Sequence, residues 1–378
     1  MSDSVAQAVT ANIASPHGHA APETASAAPV APLTSVTQAA SERMLTLSRA
    51  MQSIWLGLRA EAVLEIDSTN SELMRRARAG DTSPCLLVSA QQTAGRGRLG
   101  RIWHSATDSR AASEADSATA HDGGAADRAF LSARAAPGDA EDHAFTRCGA
   151  LTFSLGLPLA PGDWSGLSLA VGVVLAEALE PLLGRDISLK WPNDLWVDER
   201  KLGGILIETI ASAAGSMLLA AARPPASPVP SATPATVGAA APRFAVIGIG
   251  INLSAPYARG LRAAPAWVRE WQPKAQPLPL LTALAPSLLS GIERFARDGF
   301  AVFAESFSMR DVLRHRQVEL SDGRRGECVG VGDGGELLLR GADGPYAITS
   351  GEVSVKPLAA ALAACAGSAE SAGSPGSP

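Results

Sequence analysis

LKWPNDLWVDERKLGGILIE, residues 189–208, reads as three short strands joined by two tight turns. Residues 187–190, 195–197 and 205–210 are the apolar runs that form the strands. Pro192-Asn193-Asp194 is a turn, because Pro presets φ while Asn and Asp bond their own backbone. Asp198-Glu199-Arg200 is a solvated hairpin tip. Of the 32 Lys and Arg residues in the chain, only Lys190, Lys201, Lys274 and Lys356 are lysine. Where Arg is so strongly preferred, a retained Lys points to a need for a compact ammonium rather than a planar fork. Lys190 beside Trp191 reads as a support for the turn. Lys201, just before Leu202-Gly203-Gly204, reads as a ligand contact, and the whole block as the floor of a small-molecule site.

Outward from this block, strands and helices alternate. Residues 63–66 and 85–90 are strands, and between them Thr69-x-x-Glu72 reads as a capping box opening a helix to about residue 79. Residues 151–157 form a strand, and 167–183 have helical spacing with Glu177 and Glu180 facing water. Residues 244–251 are apolar almost throughout, as expected of a strand buried on both faces. Helices follow near 278–296 and 300–313. From about residue 316 five short strands with Asp-Gly turns predict a small barrel.

Residues 1–45 and 358–378 are rich in Ala, Ser and Pro and read as disordered tails. Residues 106–147 and 221–242 have the same composition and read as surface insertions. The net charge of −5 lacks the basic footprint of a dedicated nucleic-acid binder. The four cysteines form no metal-ligand spacing and read as reduced thiols. No targeting signal and no apolar run long enough to span a bilayer is visible, which predicts a cytoplasmic protein.

Four constellations carry chemistry. QQTAGRGRLGR, 91–101, follows a strand; its glycines let the backbone approach an anion, and Arg96, Arg98 and Arg101 add bidentate donors. It is neither a P-loop nor a dinucleotide fingerprint, and on physics alone a solvated surface loop is equally compatible. Asp67-Ser68-Thr69-Asn70 is a helix start that also sets hydroxyls and an amide at a strand end. The third is the opening block. In Gly248-Ile249-Gly250-Ile251-Asn252, alternate glycines clear one strand face for a closely packed neighbour or a flat ligand.

Together DSTN (67–70), QQTAGRGRLGRIW (91–103), KWPNDLW (190–196), RKLGGILIE (200–208) and GIGIN (248–252) resemble the bacterial biotin-protein ligases. The resemblance implies an α/β catalytic domain over 46–313, class II synthetase-like with a mixed sheet and helices. An SH3-like β-barrel over 314–357 would follow. It implies biotinoyl-5′-AMP formation from biotin and MgATP, then transfer of biotin to a lysine of a carboxyl-carrier domain. Carried over by motif, Ser68, Thr69, Asn70, Gln92, Arg96, Gly97, Arg98 and Lys201 hold biotin or the adenylate. Lys201, Asp194 and Arg98 are catalytic, with Asp194 handling the acceptor amine. Trp103, Asn193, Asn252 and Lys356 are nucleotide-side candidates, and Mg²⁺ would arrive on the ATP phosphates.

Nothing before Arg43 is basic or helical in pattern, so the resemblance implies a ligase without an N-terminal DNA-binding domain and without repressor activity. Neither DNA nor membrane is expected as a partner, and monomer and homodimer both remain open. A lipoate- or octanoate-protein ligase of the same fold is the nearest alternative, and a nucleic-acid-binding regulator a more distant one.

Overall fold

The computed structural model describes residues 38–105, 145, 147–211, 242–256, 263–349 and 355–357. Its main sheet has seven strands: β1 (Arg59–Ile66), β2 (Cys85–Gln92), β3 (Ala150–Leu159), β4 (Ser188–Lys190), β5 (Asp194–Val197), β6 (Arg200–Ala211) and β7 (Arg243–Asn252), in the order β1-β2-β3-β7-β6-β5-β4. Only β1 and β2 run parallel; every other neighbour is antiparallel. The parallel pair needs a crossover, which helix α2 (Thr69–Arg78) supplies. The 189–208 block is the β4–β5–β6 meander read from its sequence.

β3 and β7 are buried along almost their whole length because helices cover both faces. On one side Leu73, Met74 and Ala77 of α2 close over Leu87, Phe244 and Val246. On the other lie α3 (Leu167–Leu183) and α4 (Pro277–Asp298), whose Leu175, Leu179, Leu284 and Leu288 are fully buried. Glu177 faces water as its spacing predicts. Glu180 instead pairs with Arg310 of the short helix α5 (Ala304–Arg310), at 2.9 Å.

Three sequence expectations need correction. The tail assigned to residues 1–45 ends earlier, because helix α1 spans Gln38–Met51 and buries Ala40, Met44, Leu47 and Met51 at helical spacing. The insertion assigned to 106–147 ends earlier too: Phe145 is already in the core, and Cys148 bonds its carbonyl. The helix cap is Ser68 rather than Thr69. Thr69 turns its hydroxyl inward, and Glu72 pairs with Arg75 and Arg76 instead of reaching back to the backbone. The expected insertion 221–242 lies outside the described residues except for Pro242, as does the tail 358–378.

The C-terminal strands β8 (Gln317–Leu320), β9 (Arg325–Val331), β10 (Leu337–Gly341), β11 (Gly344–Ile348) and β12 (Val355–Pro357) form a separate antiparallel sheet, ordered β11-β10-β9-β8-β12. It docks on the main sheet through the turn after β4. Trp191, 1% exposed, donates its indole N–H to the Gly335 carbonyl at 3.0 Å. Val312 donates to the Leu189 carbonyl at 3.0 Å. No helix among the described residues is long and apolar enough to cross a membrane.

Asp311 sits in this junction, bridged to Leu189. One carboxylate oxygen accepts from Leu313 N at 2.9 Å, and the other is buried without a hydrogen-bond partner. Burial pushes its pKa up to about 6 from the ordinary 3.8. An acid whose folded-state pKa is raised costs stability once it ionises, so the penalty is absent below the unfolded pKa and complete above the folded one. Asp311→Asn is therefore expected to stabilise the protein at pH 8, by about 3 kcal/mol at most, with the gain fading towards pH 4. Urea unfolding at both pH values checks this; an equal effect at both would remove ionisation as the cause.

Candidate active site

The strand registers put small residues on one face of the main sheet. Ser89 lies opposite Thr152, Thr152 opposite Gly250, Ser154 opposite Gly248, and Gly250 opposite Gly204. Directly paired residues share a face, so these positions form a shallow trough across four strands. The glycines are there for close approach. A Cβ at Gly250 would lie 2.5 Å from the Trp103 ring, and one at Gly248 would collide with the Asn70 amide. Neighbouring side chains, then, account for the alternate glycines of GIGIN.

The N-terminus of α2 walls one end of the trough. Thr69 N–H donates to Gln92 Oε1 at 2.8 Å, and the Thr69 hydroxyl lies 2.7 Å from that of Ser154. Ser154 donates to Asn70 Oδ1 at 2.6 Å, and Asn70 Nδ2 donates to Leu206 O at 3.2 Å and Glu208 Oε2 at 3.1 Å. Asp67 faces away. Arg75 grips it at 2.7 and 2.9 Å, and that ion pair holds the carboxyl below its usual range.

The glycine/arginine segment folds back as a small hairpin. Trp103 N–H donates to Gly95 O at 2.9 Å, Gly97 N–H to Arg101 O at 2.7 Å, and Arg96 bridges Ile102. Leu99 (φ 57°) and Gly100 (φ 69°) turn its tip. Leu99 and Ile102 are left exposed, 52% and 70%. Arg96 pairs with Glu208 at 2.8 Å. Burial pushes the Arg98 guanidinium below its ordinary range, with Asp194 opposing the shift and Arg101 adding to it. The Trp103 indole N–H is buried without a hydrogen-bond partner.

Across the trough, Lys201 Nζ donates to Asp194 Oδ1 at 2.6 Å. The Lys201 backbone is tied down on its far side: its N–H donates to Ala264 O at 2.8 Å, and its carbonyl accepts from Ala266 N at 2.9 Å. Asn193 locks the β4–β5 turn to β6 through Nδ2 to Ile205 O at 2.7 Å. Lys190 lies 4.8 Å from the centroid of the Trp196 ring, consistent with a support for the turn.

These groups enclose a cavity of about 130 Å³ lined by Ser68, Thr69, Asn70, Gln92, Arg96, Gly97, Arg98, Trp103, Asn193, Asp194 and Lys201. A wider cleft of about 660 Å³ shares the hairpin and extends past Ser168 and Pro192. Two expected site residues lie elsewhere. Asn252 sits behind Lys201, donating to its carbonyl at 3.2 Å and to Ala266 O at 3.0 Å. Lys356 is on β12 opposite Glu319, in the small sheet. Thr152 and Ser154 belong to the site or its support and carry no sequence motif, while Glu208 closes the RKLGGILIE stretch without having been singled out as a site residue. Among the described residues no three His, Cys, Asp or Glu side chains converge as a metal cage.

The model of the biotin/lipoate A/B protein ligase family matches residues 146–221. The bifunctional ligase/repressor BirA of Escherichia coli is 26% identical over 302 residues, covering 77% of this chain and 72% of that one. The biotin-[acetyl-CoA-carboxylase] ligase of Paracoccus denitrificans is 26% identical over 295 residues, covering 76% and 96%. The solved biotin protein ligase of Aquifex aeolicus, in complex with biotin and ATP, superposes with a TM-score of 0.53 at 21% identity. That superposition covers 80% of this chain and 99% of the other, and it shows that the two share a fold. The five motifs and these matches make the chain similar to the bacterial biotin-protein ligases, with residues 146–221 matching the biotin/lipoate A/B protein ligase family.

Proposed function

We propose that the protein is an ATP-dependent biotin-protein ligase. The observation that carries this reading is the convergence, in one cavity, of a wall of hydrogen-bonding side chains with Lys201, Arg98 and Asp194. The wall suits a polar fused ring, whereas an acyl chain offers it no partners and would leave buried polar groups unpaired.

In the first step the biotin carboxylate attacks the α-phosphate of MgATP, a C(O)O–P bond forms and pyrophosphate leaves. Two anions must meet, so positioning and positive charge do most of the work. Lys201, Arg96 and Arg98 bring three cations against the two carboxylates Asp194 and Glu208. Arg98 is partly buried, so its attraction for an incoming anion is less screened than that of a fully exposed guanidinium. Mg²⁺ would be carried by the ATP phosphates rather than by a protein cage, and would add positive charge beside Arg96 and Arg98. The carboxylate of biotin would take over the Lys201 ammonium and release Asp194. In the second step the acceptor lysine amine attacks the acyl carbon, the acyl–oxygen bond breaks, AMP leaves, and Asp194 orients the amine or takes its proton. The 95–103 hairpin would shield the mixed anhydride from water. The small sheet is read as an SH3-like barrel beside this site, and the acceptor as a biotin carboxyl-carrier domain in the cytoplasm.

Incubation with biotin, MgATP and an apo carrier domain is expected to shift the mass of the intact carrier by one biotinoyl group. Modification with octanoate or lipoate, and none with biotin, would sink the reading. Gly248→Ala gives a second check. Its Cβ would displace Asn70, and biotin affinity is expected to fall about tenfold or more, within the usual 1–3 kcal/mol of overpacking. Calorimetric titration measures it, and affinity equal to wild type would show that Asn70 does not need its present position.

A further inference from the structure

The pairing of β5 with β6 skips one residue. Asp194 lies opposite Gly204 and Leu195 opposite Gly203, but Trp196 lies opposite Lys201, so Leu202 is an extra residue on β6, a β-bulge. The bulge decides where Lys201 points. Successive side chains of a strand alternate between faces, so without the extra residue Lys201 would share the face of Gly203, away from the cavity. With it, Lys201 shares the face of Asp194 and Gly204, and its ammonium reaches Asp194 at 2.6 Å. The same shift turns Arg200, opposite Val197, to the back of the sheet.

A bulge disrupts the ladder where it sits, so its register has to be held from elsewhere. Arg200 has the contacts to do so. Its sequence reads as part of a solvated tip, yet its two terminal nitrogens grip Glu270 at 2.9 and 2.7 Å, and one of them also donates to Pro265 O at 3.3 Å. The guanidinium lies 6.0 Å from the Trp267 ring centroid and 5.8 Å from that of Trp271, and Arg185 lies 5.8 Å from the Trp271 ring. Glu270 also accepts from Trp267 N–H at 3.1 Å. The side chains of Arg200 and Glu270 are only 29% and 19% exposed, and a two-bonded fork fixes direction as well as distance. A one-residue slip of β6 against β5 would carry Arg200 to the cavity face and tear it from Glu270.

We propose that Arg200 is a positioning residue: clamped to Glu270 between two tryptophans, it locks the bulge at Leu202 and so holds the Lys201 ammonium on the cavity face. The two neighbours divide the labour, one facing the ligand and the other the anchor. What Lys201 does there rests on the ligase reading; how it is held rests on the register.

Arg200→Met keeps the stem and removes the fork. It is expected to slow biotin-dependent pyrophosphate release by about 10- to 100-fold, the usual penalty for a misplaced charge. In the Lys201→Ala background the same change is expected to add less than about twofold, because the group it positions is already gone. Losses that multiply overturn the proposal, as does wild-type-like release by Arg200→Met.

Hydrogen exchange reads the lock without the reaction. The Lys201 and Ala266 amides, bonded to Ala264 O and Lys201 O, are expected to exchange about tenfold faster or more in Arg200→Met. The Ile205 amide, bonded to Asn193 O beyond the bulge, is expected to keep its protection. Unchanged exchange at Lys201 and Ala266 overturns the lock, and so does equal loss at Ile205, which would mark a general loosening. If Arg200→Met does not fold, Glu270→Gln, which withdraws the charge and one acceptor from the clamp, is put through the same measurements with the same outcomes. Wild-type protein without biotin-dependent pyrophosphate release overturns the ligase reading and leaves exchange to decide the lock.

Discussion

Lys201→Ala is expected to slow pyrophosphate release from biotin and MgATP by about 10²–10³-fold, with the fold intact. The ammonium is held at both ends. Its backbone is pinned by Ala264, Ala266 and Asn252, and its Nζ by Asp194 at 2.6 Å. Such a cation costs little reorganisation when negative charge develops between carboxylate and phosphate. Removing it does double damage: the charge is lost, and Asp194, only 20% exposed, is left as an unopposed carboxylate facing two incoming anions. Lys201→Arg is expected to recover little, because a planar fork on a longer stem cannot occupy the same point beside Gly204. Wild-type-like pyrophosphate release by Lys201→Ala would refute the assigned role, with circular dichroism confirming that the variant is folded.

The parts of this site that were legible in sequence are those where backbone demands and chemistry coincide. The β4–β5–β6 meander shows through its turn residues, and the hairpin through its glycines and arginines. The trough shows through Gly248 and Gly250, although only the coordinates reveal that Trp103 and Asn70 are what fill it. Ser154 was illegible because it lies in an apolar run; its role depends on the β3–β7 register that sets it opposite Gly248. Glu208 closes the RKLGGILIE stretch, but nothing local shows its partner until the fold brings Arg96 to 2.8 Å across 112 positions. Asn252 has the right residue type for a ligand contact but spends its amide on the backbone behind Lys201. Helix α1 was missed because its first residues, Gln38-Ala39-Ala40-Ser41, continue the Ala/Ser-rich composition of the tail. The common cause is that second-layer contacts join residues distant in sequence, and no local pattern records them.

Asp194→Asn is expected to separate the two chemical steps. The amide keeps an oxygen for Lys201 Nζ, so the cation stays in place and adenylate formation should remain within a few-fold of wild type. What the amide lacks is negative charge and basicity. The acceptor lysine arrives protonated at neutral pH and must reach the acyl carbon as a neutral amine, losing a second proton as the tetrahedral adduct collapses. A carboxylate released from Lys201 by the biotin carboxyl is well placed for both tasks, and a neutral amide serves neither. Single-turnover transfer from preformed enzyme-bound adenylate to an apo carrier domain is therefore expected to fall by about 10²–10³-fold. The pH profile discriminates further. If Asp194 acts on the amine, the rate lost in the variant should be partly regained as pH rises towards the lysine pKa, since hydroxide then does the deprotonation. If Asp194 merely holds Lys201, both steps should fall together and neither should regain rate at high pH, and that outcome would return Asp194 to a structural partner of Lys201.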